Sequence, residues 1–160
     1  MIRRARPDDT AVITDMIHRL ADYQQAREHC TVEPGQIQRA LFGPDAAAFA
    51  HVAESDSGEV VGIAVWFRNF STWDGTHGIY LEDLFVLPSA RGGGHGKALL
   101  AALAQECVDH DYTRLSWSVL KWNTPSIEFY ESLGAQPQTE WRTYRLTDGP
   151  LRDLASTLGP

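Results

Sequence analysis

A glycine-rich segment after an apolar stretch is the clearest chemical signal in the sequence. The stretch Tyr80–Pro88 is followed by Arg91–Lys97, which reads Arg-Gly-Gly-Gly-His-Gly-Lys. Glycines let the backbone adopt positive φ angles and approach a ligand closely. With a helix N-terminus, their N–H groups form an anion site suited to a pyrophosphate. The alternative interpretation is an ordinary glycine-rich turn at the start of a helix.

The spacing excludes two known phosphate-binding loops. A Walker loop needs a glycine where Arg91 stands and a serine or threonine where Ala98 stands. A dinucleotide-binding loop needs a third glycine at a position that Lys97 or Leu99 occupies. What remains is the pattern Arg-x-x-Gly-x-Gly, which begins at Arg91 and follows a predicted strand.

A second segment, residues 122–135, combines helix signals with polar side chains. Thr124 is predicted to cap a helix, with Pro125 in the first turn. Tyr130 lies about one turn after Ile127, so it partly faces the body of the protein. Taken alone, this pattern favours a core tyrosine on an amphipathic helix.

Together the two segments resemble the GNAT superfamily of N-acetyltransferases. That family has Arg/Gln-x-x-Gly-x-Gly/Ala at the acetyl-CoA pyrophosphate and an Asn…Phe-Tyr…Gly helix after the next strand. Within it, the sequence resembles the diamine (spermidine/spermine) acetyltransferases and their thialysine-acetylating relatives. The shared residues are Tyr80-Leu81-Glu82-Asp83, Trp122-Asn123 and Phe129-Tyr130. The resemblance implies an α/β (α+β mixed) fold, with a twisted mixed sheet flanked by helices.

The resemblance also implies that acetyl-CoA is the cosubstrate. The main chain of Leu84, Phe85 and Val86 would hold the pantetheine arm, and one of these amides would polarise the thioester carbonyl. Tyr130 would lie beside the sulfur and protonate the departing thiolate. The other residues implied to bind the cofactor are Arg91, Gly92, Gly93, Gly94, His95, Gly96, Lys97, Asn123 and Ser126.

Glu82 is the expected base for the acceptor amine. An alkyl amine has a pKa near ~10.4, so it is protonated at pH 7, and removing its proton costs about 4–5 kcal/mol. Glu82 would accept this proton directly or through a water. Asp83 is the next residue of a strand, where neighbours point to opposite faces. Both carboxylates can face one amine only if the strand carries a bulge, as the family's strand does; the alternative for Asp83 is a solvated or salt-bridged carboxylate.

The substrate side departs from the polyamine branch. There a carboxylate follows the tyrosine of the first helix, whereas Gln24 follows Tyr23 here. Glu28 is either its replacement or a solvated glutamate, and Asp74 either lines the entrance or makes a turn. The expected substrate-binding residues are Tyr23, Gln24, Glu28, Trp73, Glu82, Asp83 and Glu140.

Neither a metal site nor a nucleophilic cysteine is expected. The six histidines are scattered, and no pair has the spacing of a metal-binding helix. Cys30 and Cys107 are far apart, and Cys107 falls in a predicted helix core. Direct attack by the amine in a ternary complex is therefore expected.

The apolar pattern predicts the elements that position these residues. The predicted strands are Ile2–Arg6, Phe49–Ala53, Val60–Phe67, Gly78–Val86, Arg114–Leu120 and Trp141–Leu146. The predicted helices are one that begins at Pro7 and three at Glu33–Phe42, Gly94–His110 and Thr124–Leu133. Since no repeat or linker interrupts them, one domain over residues 1–160 is expected.

Composition and net charge limit the kinds of binding partner that are expected. The chain has 160 residues, of which 43% are hydrophobic and 22% charged, so a disordered chain is excluded. Fourteen basic and 21 acidic residues give a net charge of -7, which repels nucleic acid and attracts cations. No apolar run approaches the ~20 residues that span a membrane, and no signal segment is visible. We therefore expect neither a nucleic-acid nor a membrane partner, and a cytoplasmic location.

These features predict an enzyme that moves acetyl from acetyl-CoA to a primary amine of a small cationic substrate, namely a polyamine, thialysine or a lysine-like compound. Two alternatives stay open. One is acetylation of a protein or peptide amine, and the other is an acetyl-CoA sensor without turnover. The resemblance also implies a homodimer.

Overall fold

The computed structural model describes residues 1–158. The chain divides into two compact units, Met1–Leu120 and a second unit that starts at Lys121. The single domain expected from the sequence stays a prediction.

The first unit contains a mixed five-stranded sheet. Its strands are β1 (Ile2–Arg4), β2 (Phe49–Glu54), β3 (Val60–Ser71), β4 (Thr76–Val86) and β5 (Leu115–Trp117). They lie side by side in chain order, and neighbours are antiparallel except β4 and β5, which are parallel. The predicted fold class is confirmed. The strand expected over Arg114–Leu120 is shorter than predicted, because only three of its residues pair with β4.

Three helices of the first unit flank this sheet, namely α1 (Thr10–Tyr23), α2 (Pro34–Phe42) and α3 (His95–Asp109). The second unit contains α4 (Thr124–Ser132) and α5 (Asp148–Ser156). Short 3-10 turns occur at Pro7–Asp9, Arg27–His29 and Pro88–Ala90. The start of α2 shows how the sequence sets these bounds, because the Glu33 amide donates to Gln36 Oε1 at 2.9 Å before Pro34 opens the helix. None of the helices within residues 1–158 is long and apolar enough to span a bilayer.

The start of α1 is tied to the edge of the sheet. The Asp9 carboxylate accepts the Arg6 amide at 2.7 Å. Two nitrogens of Arg3, in β1, donate to the same carboxylate at 2.7 and 2.9 Å. The hydrogen bond from Arg3 is the main reason that the pKa of Asp9 lies below its usual value. These contacts fix the direction in which α1 leaves β1.

The hydrophobic core lies between the sheet and the first two helices. Alternate residues of β2, β3 and β4 face the same way and pack against one side of α1 and α2. The buried members are Ile13, Met16, Leu20, Leu41, Ala50, Val52, Ile63, Val65 and Phe85. This face therefore fixes the end of α1 against β4.

The other face of the sheet is covered by α3 and includes a buried polar group. His51 Nδ1 accepts a hydrogen bond from the Trp66 indole at 3.2 Å. Its Nε2 lies 3.6 Å from Glu106, which also pairs with Arg4 at 2.6 Å. Burial is the main cause that lowers the pKa of His51 to about 4, so the ring is neutral at pH 7.

The second unit corrects one predicted element and adds another. The strand predicted over Trp141–Leu146 is wrong, since no strand of the described chain pairs with this segment. Its large side chains are exposed, with Trp141 at 73% and Tyr144 at 88%. The helix α5 follows instead, with Thr147 at its N-cap and Asp148 in its first turn.

Candidate active site

β4 has a bulge at the two predicted carboxylates. Val65 pairs with Asp83 and Trp66 pairs with Leu81, so Glu82 is an extra residue in β4. The bulge expected from the family resemblance is therefore present. Glu82 is exposed, whereas Asp83 is half-buried on the face of the sheet that α1 covers.

Asp83 is the more perturbed of the two carboxylates. Burial, and secondly the charge of Glu82, raise the pKa of Asp83 to about 6. Of the two interpretations left open for Asp83, the structure does not support a salt bridge, because no cation pairs with it among residues 1–158. A half-buried carboxylate next to an exposed one is an arrangement that favours a cationic ligand.

Replacing Asp83 by asparagine is expected to stabilise the fold near neutral pH. The pKa of Asp83 is higher in the folded chain than in the unfolded chain. Its contribution to the free energy of unfolding is therefore fully present below about pH 4 and is lost as the pH rises through about 6. Asp83→Asn should raise the unfolding free energy by about 1–3 kcal/mol at about pH 8 and leave it unchanged at about pH 3.5. Urea unfolding at both pH values measures this difference.

The matched control is Asp56→Asn in the exposed turn between β2 and β3. We expect this change to leave stability within about 0.5 kcal/mol at both pH values. A loss of stability in Asp83→Asn at about pH 8 would show that the carboxylate has a stabilising partner.

The edge of β4 is open beyond the bulge. Its parallel neighbour β5 pairs only with Ile79, Tyr80 and Leu81. The residues assigned to the pantetheine arm, 84–86, therefore have β3 on one side and no strand on the other within the described chain. An extended ligand can form strand-like hydrogen bonds with such an edge.

The glycine-rich segment forms the predicted turn into α3. Gly92 and Gly94 have φ angles of 83° and 77°, and Gly94 is the N-cap of the helix. The first bond of the helix runs from the Ala98 amide to the Gly94 carbonyl at 2.9 Å. The amides of residues 95–97 therefore precede the helical hydrogen-bond ladder and are positioned for an anion. Lys97 is exposed there, and the ring of His95 packs against Gly93.

Replacing Gly94 by alanine is expected to weaken coenzyme A binding at least about tenfold. An L-residue at this φ angle costs about 1–2 kcal/mol, and relaxation of that strain would turn the amides of the first helical turn away from the ligand. Titration calorimetry with coenzyme A measures the change in Kd.

Gly58 supplies the matched control, since it also has a positive φ, of 83°, and an added Cβ would meet no atom in either place. Gly58→Ala should lose similar stability and keep the affinity for coenzyme A. Equal affinities in the two variants would mean that the α3 turn does not bind the diphosphate.

Arg91 connects the predicted cofactor side with the predicted amine side. Its Nε donates to the Val86 carbonyl at 3.2 Å. Its guanidinium carbon lies 5.2 Å from the centre of the Tyr23 ring and 6.0 Å from that of Phe85. The ring of Phe85 has no role in the sequence-based expectation, although strand alternation places it on the same face as Asp83.

The other predicted amine-side residues of the first unit are dispersed. Gln24 caps the end of α1, and Glu28 lies in the turn after it, 3.4 Å from His29. Trp73 is 90% exposed in the β3–β4 turn. In the same turn, the carboxylate of Asp74 accepts the Thr113 hydroxyl at 2.9 Å, which supports the turn-making alternative for this residue.

The second unit contains the remaining predicted residues. Asn123, and not Thr124, is the N-cap of α4, because helical geometry already begins at Thr124. Asn123 is buried, and Ser126 and Tyr130 are half-buried. Glu140 is exposed in a turn. The roles of these residues stay predictions.

The described chain contains no cluster of metal-binding side chains. Within residues 1–158, no three or more histidine, cysteine, aspartate or glutamate side chains are arranged to hold a metal ion. The site therefore consists of carboxylates, backbone amides and one arginine, which together suit an anionic cosubstrate and a cationic acceptor.

Comparison with known proteins gives one family and one fold. Residues 14–135 match the family model described as the Acetyltransferase (GNAT) family. The chain is 33% identical over 165 residues to a thialysine N-epsilon-acetyltransferase of Bos taurus, a match that covers 97% of this chain and 96% of that protein. It is 40% identical over 123 residues to an L-ornithine N5-acetyltransferase of Arabidopsis thaliana, covering 77% of this chain and 54% of that protein.

A solved structure has a similar fold over nearly the whole chain. It is an integron cassette protein from the mobile metagenome of V. cholerae, with a TM-score of 0.81 and 26% identity. The match covers 97% of this chain and 96% of that one.

Proposed function

Because the chain belongs to the GNAT acetyltransferase family, and is an acetyltransferase like its full-length relatives, we propose that it acetylates a primary amine of a small cationic substrate. The side-chain amine of a basic amino acid, such as thialysine or ornithine, is the first candidate. The observation that carries the proposal is the bulge of β4 at Glu82 and Asp83, which adjoins an open strand edge.

The site fits the chemistry of acetyl-CoA. Its diphosphate needs hydrogen-bond donors, and the amides at the start of α3 supply them. Its pantetheine arm needs backbone partners, and residues 84–86 of β4 offer an open edge. Acetyl-CoA supplies an acetyl group that is already activated as a thioester.

Glu82 prepares the acceptor by removing a proton. The substrate ammonium has a pKa near ~10.4, and Glu82, exposed at the bulge, accepts its proton. The neutral nitrogen then forms the C–N bond while the C–S bond breaks, and Tyr130 gives the sulfur a proton. The nitrogen loses its second proton as it becomes an amide, and this proton returns through water to the Tyr130 oxygen. Asp83 is ionised at pH 7, since its pKa is about 6, and it holds positive charge near the reacting nitrogen.

The amine side favours a short substrate with a low net positive charge. A polyamine carries several ammonium groups along its length, and each one that leaves water needs a carboxylate. Gln24 stands where the polyamine branch has an acid, and Glu28 is exposed in a turn. Thialysine and ornithine each have one side-chain amine and a carboxylate of their own, so they need fewer acidic contacts.

A substrate panel tests the proposal. Product formation with acetyl-CoA would be followed by mass spectrometry for thialysine, ornithine, lysine, putrescine, spermidine, spermine, an aminoglycoside and a basic peptide. We expect turnover of the first two to exceed that of spermidine. Preferred turnover of spermidine would mean that other acidic residues replace the missing contact, and preferred turnover of the peptide would support protein acetylation.

No product with any amine, despite tight binding of acetyl-CoA, would overturn the proposed activity in favour of a sensor. The homodimer and the cytoplasmic location stay predictions.

A further inference from the structure

The guanidinium of Arg91 covers a ring on the amine side of the site. It lies over Tyr23, at the C-terminal end of α1, with 5.2 Å between its carbon and the ring centre. The same side chain is held by the Val86 carbonyl at the end of β4. A cation at this distance from a tyrosine ring is attracted by the ring face. The place that a substrate ammonium would take on Tyr23 is therefore occupied by a cation of the chain itself.

Arg91 is also the residue that an arriving diphosphate would attract. Its side chain is exposed, and neither of its terminal guanidinium nitrogens has a hydrogen-bond partner within the described chain. Those two nitrogens form the planar fork that binds phosphate or carboxylate oxygens in pairs. The N-cap of α3, Gly94, is three residues further along the chain, so the backbone of Arg91 leads directly into the turn whose amides suit an anion.

We propose that Arg91 is an internal competitor for the amine: it occupies the Tyr23 ring until the diphosphate of acetyl-CoA draws it away. This inference rests on the proposed function, because it assumes a cationic acceptor and acetyl-CoA. It adds a residue that couples the two ligands.

The coupling has a defined sign and is reciprocal. Without the cosubstrate, the amine must displace Arg91 before it reaches the ring, which lowers its apparent affinity. With the cosubstrate bound, this cost is gone. Each ligand must therefore raise the affinity for the other by the same factor. The free energy of a cation–π interaction sets that factor between about 3-fold and 30-fold.

Calorimetry with coenzyme A and thialysine tests the coupling without turnover. In the unmodified protein, we expect thialysine to bind between about 3-fold and 30-fold more tightly when coenzyme A is saturating. In Arg91→Gln, thialysine alone should bind as tightly as it does to the unmodified protein with coenzyme A, and the ratio should fall to about one.

Arg27→Gln is the matched control. Arg27 is also exposed near the end of α1, but its guanidinium donates to the Cys30 carbonyl at 2.8 Å and does not lie over Tyr23. The ratio should stay at the unmodified value in this variant. A ratio near one in the unmodified protein, or an unchanged ratio in Arg91→Gln, would overturn the inference.

A second measurement needs no amine. The NMR signal of the Arg91 Nε–H group is assigned by its loss in Arg91→Gln. The ring current of Tyr23 changes the chemical shift of this signal while Arg91 lies over the ring. Coenzyme A should move this signal towards its position in Tyr23→Leu, and a signal that does not move would overturn the displacement of Arg91. If the signal moves but thialysine fails to bind even with coenzyme A, the displacement is supported and the amino-acid substrate of the proposed function is overturned.

Discussion

Replacing Tyr130 by phenylalanine is expected to lower kcat by about 10² to 10⁴-fold, the usual range for loss of a general acid. The thiolate of coenzyme A leaves poorly unless it receives a proton, and the hydroxyl is the only group that the substitution removes. Tyr130 is half-buried on α4, with its ring 5.4 Å from that of Phe129, so the phenylalanine ring keeps the same packing. Affinity for coenzyme A should change by less than about 3-fold, since no charge is lost.

Release of free thiol measures kcat in this variant, and calorimetry measures the affinity for coenzyme A. The matched control is Tyr144→Phe, because Tyr144 lies in the same unit and is 88% exposed. We expect its kcat to equal that of the unmodified protein. If Tyr130→Phe keeps its kcat, another group, or water, protonates the sulfur.

Replacing Glu82 by glutamine is expected to lower kcat/KM for the amine by about 10² to 10⁴-fold at pH 7. Glutamine has nearly the same shape and cannot accept the proton of the ammonium. The deficit should shrink by roughly tenfold per pH unit above neutrality, because a growing share of the amine is already deprotonated in water. This pH dependence separates a lost base from a structural fault, which would leave the deficit constant.

A pH series of initial rates for Glu82→Gln and the unmodified protein measures this effect. Glu59→Gln is the matched control, since Glu59 is an exposed glutamate in the residue just before β3. Its profile should follow that of the unmodified protein. A deficit in Glu82→Gln that does not depend on pH would assign Glu82 to substrate positioning and leave the base to another group.

The elements of the first unit could be predicted from local patterns. Apolar residues spaced by three and four define α1. The capping residue Glu33 and the proline that follows it fix the start of α2 at Pro34. The turn into α3 follows from the glycines, of which Gly94 has a positive φ angle. Such signals lie within a few residues of the feature that they determine, so one sequence is enough to read them.

The arrangement around Glu82 could not be predicted from alternation. A regular strand would place Glu82 and Asp83 on opposite faces, and only the pairing with β3 shows the extra residue. The raised pKa of Asp83 depends on burial beneath distant parts of the chain. Arg91 and Tyr23 are in contact but far apart in sequence, so the spacing of residues along the chain does not predict this contact.

The segment Trp141–Leu146 shows a different limit. Its alternation is typical of a strand, but a strand also needs a neighbour, and alternation does not say which one. The helix α5 could have been predicted from local signals, because Leu151 and Leu154 are one turn apart and Asp148 lies in the first turn. Because α5 is short and apolar residues come just before it, the sequence favours a strand over Trp141–Leu146 instead.

The order of the strands also has a consequence for how the chain acquires its sheet. β2, β3 and β4 form an antiparallel meander whose strands are joined by short turns, whereas β5 reaches β4 only after the whole of α3. Contacts between segments close in sequence form faster than those that must first close a long loop. We therefore expect the meander to assemble early and β5 to join late. Until then one edge of β4 is unprotected over its full length. We therefore expect a nascent chain to be most prone to pairing with other chains along this strand, the same strand that we propose as the partner of the pantetheine arm.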